Sequence, residues 1–182
     1  MREDIEQALK KFEVKTFGSM KKIKAVGSLL SEDEKVLYIS PTNVTITLFN
    51  TQRKERFPGV FVLTNRRILF HYKILFSSRT DSVELDRIHS IHCSSNGLTG
   101  GHLKIHTGTK TYDVLVTYKR ELMNQIQATF EEARNQYSQI QVTINTKPNV
   151  IQQIEMLAGL REKNILTEEE FQQKKQALLA KL

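Results

Sequence analysis

The stretch Gly59–Tyr72 (GVFVLTNRRILFHY) constrains the fold of this chain more than any other. Two apolar runs, Val60–Leu63 and Ile68–Tyr72, flank Thr64-Asn65-Arg66-Arg67. Asn tolerates the left-handed backbone of tight turns, so the spacing predicts two antiparallel strands joined by a short turn. Val, Ile, Phe and Leu follow one another with almost no polar interruption. That places the hairpin in the middle of a sheet with little exposed edge.

Around the hairpin the period changes several times. Ile5, Leu9 and Phe12, then Met20, Ile23 and Val26, recur at helical spacing with a break near Phe17-Gly18-Ser19, which predicts two short helices or one broken one over residues 1–29. Val36–Ile39 reads as a first strand ended by Pro41, and Val44–Phe49 alternates as a strand with one buried face. A polar loop, residues 51–56, and Pro58 precede the hairpin. Lys73–Thr80 reads as strand end and loop. Strands follow over Ser82–Asp86 and Ile88–Ser94, then a loop marked by Asn96-Gly97 and Gly100-Gly101. His102–Thr107 and Thr111–Thr117 pair across Gly108-Thr109. About seven short strands imply an all-β sheet or partly open barrel. Leu122, Ile126, Phe130, Ala133 and Tyr137 then define an amphipathic helix, Lys119–Tyr137, that covers an open end of the sheet. Residues 138–147 are polar and β-tending and read as a linker.

Residues 148–182 form a separate helical hairpin. Its first helix ends at Asn164, suited to a left-handed cap, and Thr167-Glu-Glu-Glu170 is a capping box. So small a unit buries too little surface to stand alone, so its apolar residues Ile151, Ile154, Leu157, Ile165, Leu166, Phe171, Leu178 and Leu182 are expected to dock on another copy of the chain.

Composition excludes more than it assigns. The formal net charge of +7 is spread thinly, a surplus of three in residues 1–27, three in 59–118 and one in 147–182. A nucleic-acid binder concentrates such charge on one face, so nucleic acid is a disfavoured partner. No run approaches the ~18 apolar residues of a membrane span. Residues 1–6 lack the apolar core of a secretory signal, and the single cysteine, Cys93, fits a reducing cytoplasm. Four of the five histidines lie in Ile88–His106. His102 and His106 stand ~13 Å apart along one strand face, too far to share an ion, and His89 and His92 face opposite ways. No metal site or cofactor is expected. No nucleophile elbow, zinc-protease motif, phosphate cradle or paired carboxylates occur, so the chain reads as a non-enzyme.

Two resemblances sharpen these expectations. Residues 151–179, with Ile-Leu-Thr-Glu-Glu-Glu-Phe at 165–171 and Lys174-Lys175 after it, look like a SHOCT domain, a short C-terminal helical hairpin of many bacterial and phage proteins. Asn164 stands where that family usually has Gly. The Leu-Thr-Asn-Arg-Arg-Ile-Leu-Phe hairpin and its surrounding pattern, residues 30–137, resemble the bacterial pleckstrin-homology-like (PH-like) domain of the YokE type. That resemblance implies a seven-stranded, strongly bent β-sandwich or barrel capped by the Lys119–Tyr137 helix, in a bacterial or prophage protein. Lys54-Glu-Arg-Phe57 matches half of the phosphoinositide-binding element of eukaryotic PH domains. The lysine half is missing, since no basic residue lies between Val36 and Gln52.

The expected function is a non-catalytic adaptor. Its PH-like domain binds a protein partner, by edge-strand addition or in the groove beside the Lys119–Tyr137 helix, and its hairpin drives homo-oligomerisation. The alternative is a cytoplasmic protein held at an anionic membrane surface by Lys21, Lys22, Lys24, Arg53, Lys54 and Arg56. A third reading, nucleic acid through Lys21–Lys24, Lys174 and Lys175, has least support.

Overall fold

A computed structural model describes residues 1–74, 77–95, 100–146 and 150–180. Leu75 and Phe76, the Asn96-Gly97 part of the loop, Pro148-Asn149 and Leu182 lie outside the described residues. The chain divides into two compact units, Met1–Ser138 and Gln139–Leu182.

In the first unit, helices α1 (Glu3–Lys11) and α2 (Met20–Gly27) precede seven strands. These are β1 (Val36–Leu48), β2 (Lys54–Thr64), β3 (Arg67–Ile74), β4 (Ser77–Glu84), β5 (Ile88–Ser95), β6 (Gly101–Thr107) and β7 (Lys110–Val116). A 3-10 turn, Leu85–Arg87, joins β4 to β5. The strands form one antiparallel sheet in the order β4-β3-β2-β1-β7-β6-β5, not closed on itself, and α3 (Arg120–Thr146) follows. This is the seven-stranded β-plus-helix architecture that the sequence predicts.

The expected hairpin is β2–β3, with Leu63 opposite Ile68 and Val62 opposite Leu69. Its unbroken apolar character has a two-sided cause. Phe61, Leu63, Ile68 and Phe70 face the main core with Tyr38, Leu103, Ile105, Tyr112 and the α3 residues Ile126 and Phe130. Val60, Val62 and Leu69 face the other way, under Ile5, Ala8, Ile23 and Val26 of the N-terminal helices. A strand buried on both faces has no reason to alternate. The segment 1–29 is therefore a cover for the sheet, within the same compact unit.

Three local expectations are corrected. Pro41 does not end a strand: β1 runs through it, paired with Val60 on β2. Pairing with β7 begins only at Val44, so Pro41 sits where β1 has one neighbour and its missing N–H is tolerated. Asn65 does not have a positive φ. The turn is held instead by Thr64, whose hydroxyl accepts the Arg66 and Arg67 N–H groups at 3.2 and 3.1 Å, while Asn65 Oδ1 accepts the Lys35 N–H at 2.8 Å. Finally, β4 begins at Ser77, inside a predicted loop, because its polar side chains pair along β3 without having to be buried.

The helix expected over Lys119–Tyr137 continues to Thr146, through residues read as linker. No Gly or Pro interrupts them, and Gln-rich sequence with scattered β-branched residues loses only tenths of a kcal/mol per residue in a helix, so nothing there ends it. Gly59 is required by packing. A Cβ there would lie 2.4 Å from the His71 carbonyl oxygen and 2.6 Å from the Phe70 ring. Its absence lets Phe57, Tyr72 and Phe70 stack with centroids 4.7 and 4.8 Å apart.

In the second unit, α4 (Val150–Glu162) and α5 (Glu168–Leu179) form the hairpin. Asn164 takes the left-handed conformation (φ 56°) at the turn. Thr167 Oγ1 accepts the Glu170 N–H at 3.3 Å and Glu170 Oε2 accepts the Thr167 N–H at 3.0 Å, completing the capping box.

Candidate functional site

The Arg67 guanidinium anchors a polar cluster at the hairpin turn. Glu34 is 1% exposed. Arg67 binds it through two N–H groups, Nε to Oε1 and Nη2 to Oε2, both at 2.8 Å, and Thr64 Oγ1 donates to Oε1 at 2.8 Å. Burial pushes the Glu34 carboxyl up, but Arg67, Thr64 and the Ser31 N–H together outweigh it and hold it below its ordinary value. Arg66 pairs with Asp33, and Arg2 joins Asp4 and the Glu34 carbonyl. This cluster ties the hairpin to the N-terminal segment. Sequence reading missed it because Glu34 is separated from Arg67 by 33 residues and reads as a solvated acid.

The predicted anion-binding residues separate into three groups. Lys21 and Lys22, in the first turn of α2, line a cavity of about 350 Å³ against the outer face of β2–β3. Ala25, Pro58, His71, Lys73 and Ser78 share its wall. Lys54 and Arg56 are exposed on β2, on the face of Pro58 by strand alternation, so they extend the basic surface away from the cavity. Lys24 lies outside the cavity, and Arg53 is ion-paired to Glu55 at 2.6 Å. His71 and Lys73 were not singled out as site residues. Their period-two spacing after Leu69 on an otherwise apolar strand is the signal that marks them as outward-facing.

The other histidines are distributed along the sheet. His102 Nδ1 meets Asp113 Oδ1 at 2.7 Å and His106 Nδ1 meets Thr111 Oγ1 at 3.1 Å. The β5–β6 register sets His92 against Lys104 and His102 against Ser94, so no two histidines stand opposite each other there. Among the described residues no three His, Cys, Asp or Glu side chains gather where a metal ion could sit. Burial, then the Glu131 carboxylate, pushes the Cys93 thiol up to about 11, which makes it a poor nucleophile.

Two further surfaces bear on partner binding. A cavity of about 320 Å³ lies at the start of α3, walled by Val14, Leu115, Val116, Tyr118 and Leu122. In the hairpin unit, Met156, Leu157, Ala177 and Leu178 line a shallow apolar groove beside Lys174. Ile151, Met156 and Ile165 are 64, 61 and 64% exposed, while Ile154, Leu157, Leu166 and Leu178 are half-buried. Phe171 differs: it is buried within the hairpin, under the Arg161 guanidinium at 4.8 Å and the Lys175 ammonium at 5.8 Å.

Two family models match the chain. Residues 30–130 match the family described as "Bacterial PH domain", and residues 152–179 match "Short C-terminal domain", SHOCT. Among solved structures, the Vps36 N-terminal PH domain is 18% identical, with a TM-score of 0.40 over 57% of this chain and 83% of that one. A DUF1696 family protein with a pleckstrin-homology domain from Shewanella loihica PV-4 is 19% identical, with a TM-score of 0.41 over 61% and 88%. The C-terminal domain of an unknown protein from Leishmania infantum is 13% identical, with a TM-score of 0.36 over 60% and 92%. A search of curated protein sequences found no match.

Proposed function

The chain belongs to the bacterial PH-domain family, and from that membership we propose that it is a non-catalytic adaptor whose PH-like domain recognises a protein while its SHOCT hairpin joins copies of the chain. PH-domain families are in general binding modules, for proteins or phosphoinositide lipids. The observation that carries the assembly half is the hairpin's outer surface. Ile151, Met156 and Ile165 are mostly exposed on a unit in which, among the described residues, Phe171 alone is buried, so the apolar groove beside Met156 and Leu157 is available to a second hairpin. Assembly places several PH-like domains on one particle, so weak single contacts gain avidity. The edge strands β4 and β5 and the cavity at the start of α3 offer the protein-binding surface.

Light scattering on the full chain tests the assembly. The native chain is expected at a multiple of 21.0 kDa, and the Ile151→Glu/Met156→Glu variant at the single-chain mass. Both side chains are exposed, so the hairpin itself survives the change. Equal masses for the two proteins would remove the reading.

A further inference from the structure

We infer that the cavity between α2 and the outer face of β2–β3 is a binding site for a phosphate-bearing anion, with Lys21, Lys22 and Lys73 as its charged ligands. Three features of the site point this way. The first is charge: among the described residues three lysines line the cavity and no carboxylate does. None of the three forms an ion pair with a described residue, although several other lysines and arginines of the same unit do. Three unpaired lysines around one cavity raise the local potential for anions, and a compact ammonium suits a phosphate oxygen.

The second feature is the placement of the lysines on α2. A helix N-terminus carries partial positive charge and free N–H groups, so acidic residues normally occupy its first turn. The first turn of α2 has none, and Ser19 supplies no side-chain cap. Lys21 and Lys22 therefore oppose the helix dipole, an arrangement that a bound anion reverses. The third feature is shape. At about 350 Å³ the cavity is ligand-sized, and His71, positioned by Thr80 Oγ1 at 2.9 Å from Nδ1, brings a further polar group to the wall. Lys54 and Arg56 continue the basic surface for a ligand with more than one phosphate. Of the strand carboxylates facing the same way, Asp113 lies two strands from Arg56 and is engaged by His102, and Glu84 stands opposite Arg67, at the other end of the β3–β4 pair from Lys73.

Lys21 and Lys22 precede residue 30, outside the matched PH region, so the site belongs to the chain's own N-terminal cover. It is also independent of hairpin self-association, which is read by mass alone. The ligand is either a soluble phosphorylated compound or a phosphorylated headgroup at a membrane surface. Calorimetric titration with pyrophosphate probes the first. Cosedimentation with vesicles of phosphatidylcholine containing phosphatidic acid probes the second. Binding to at least one is expected, weakening as salt rises. The triple variant Lys21→Ala/Lys22→Ala/Lys73→Ala should weaken it at least tenfold. A charge-matched control, Lys10→Ala/Lys35→Ala/Lys104→Ala, removes three lysines that do not line the cavity and should change it less than twofold. Which probe binds identifies the source. Equal losses in the two variants would reduce the effect to overall charge and overturn the site, as would failure of the full chain to bind either probe.

Discussion

At the scale of single residues, the turn of the central hairpin is decided by Glu34. Its carboxylate is buried and bonded to Arg67 and Thr64. Removing Arg67 takes the counter-charge from the buried carboxylate. Because Arg67 is itself partly exposed and Thr64 stays bonded to Glu34, Arg67→Ala should cost about 3 kcal/mol of stability, the low end for such pairs, read by denaturant unfolding. The pH dependence follows from the same bonds. Because the folded Glu34 holds its proton more weakly than the unfolded residue, its contribution is complete above the ordinary value of 4.5 and is lost as pH falls below it. In the native chain the unfolding midpoint should therefore drop as pH falls below 4.5, and in Glu34→Gln that drop should be smaller. A drop of equal size in both proteins would assign the acid sensitivity elsewhere. Gly59 also tolerates no side chain, since the His71 carbonyl and the Phe70 ring occupy its space.

Among the elements, α1 and α2 have the least independent means of support. Helices of nine and eight residues are too short to persist alone in water, so they owe their order to the apolar residues they bury against β1, β2 and β3. Ile23 of α2 is fully buried. Ile23→Ala should cost about 2–5 kcal/mol. Removing residues 1–29 uncovers Val60, Val62 and Leu69 on the sheet's outer face. The shortened chain should bind a hydrophobic dye strongly or aggregate, and a soluble shortened chain without dye binding would show that the cover is dispensable.

For the whole molecule, the division into two compact units sets the expectation for truncation. The core that holds the sheet lies within Met1–Ser138, with Ile126, Phe130 and Ala133 its contribution from α3. A chain ending at Thr146 keeps all of α3. Its sheet should unfold at the midpoint of the full chain, monitored by the tyrosines, while any multimer dissolves. A lowered midpoint would mean that the hairpin stabilises the sheet.

Much of this was legible in the residues. The hairpin, the glycine break between the N-terminal helices, the capping box at Thr167 and the left-handed Asn164 each depend on neighbours close in the chain, where residue type and spacing act directly. The basic cavity was legible in part. Lys21 and Lys22 stand out as a run, but Lys73 and His71 join them only because α2 folds onto β3 across some fifty residues.

What the sequence determined by itself was local chemistry: which runs are apolar, where the backbone must turn and which ends are capped. Only the tertiary structure decided that Pro41 could remain inside a strand, that Glu34 would be buried against Arg67, and that the hairpin would be covered on both faces. Those outcomes depend on which neighbour lies alongside at each point, and periodicity along one strand carries no record of the element packed across it.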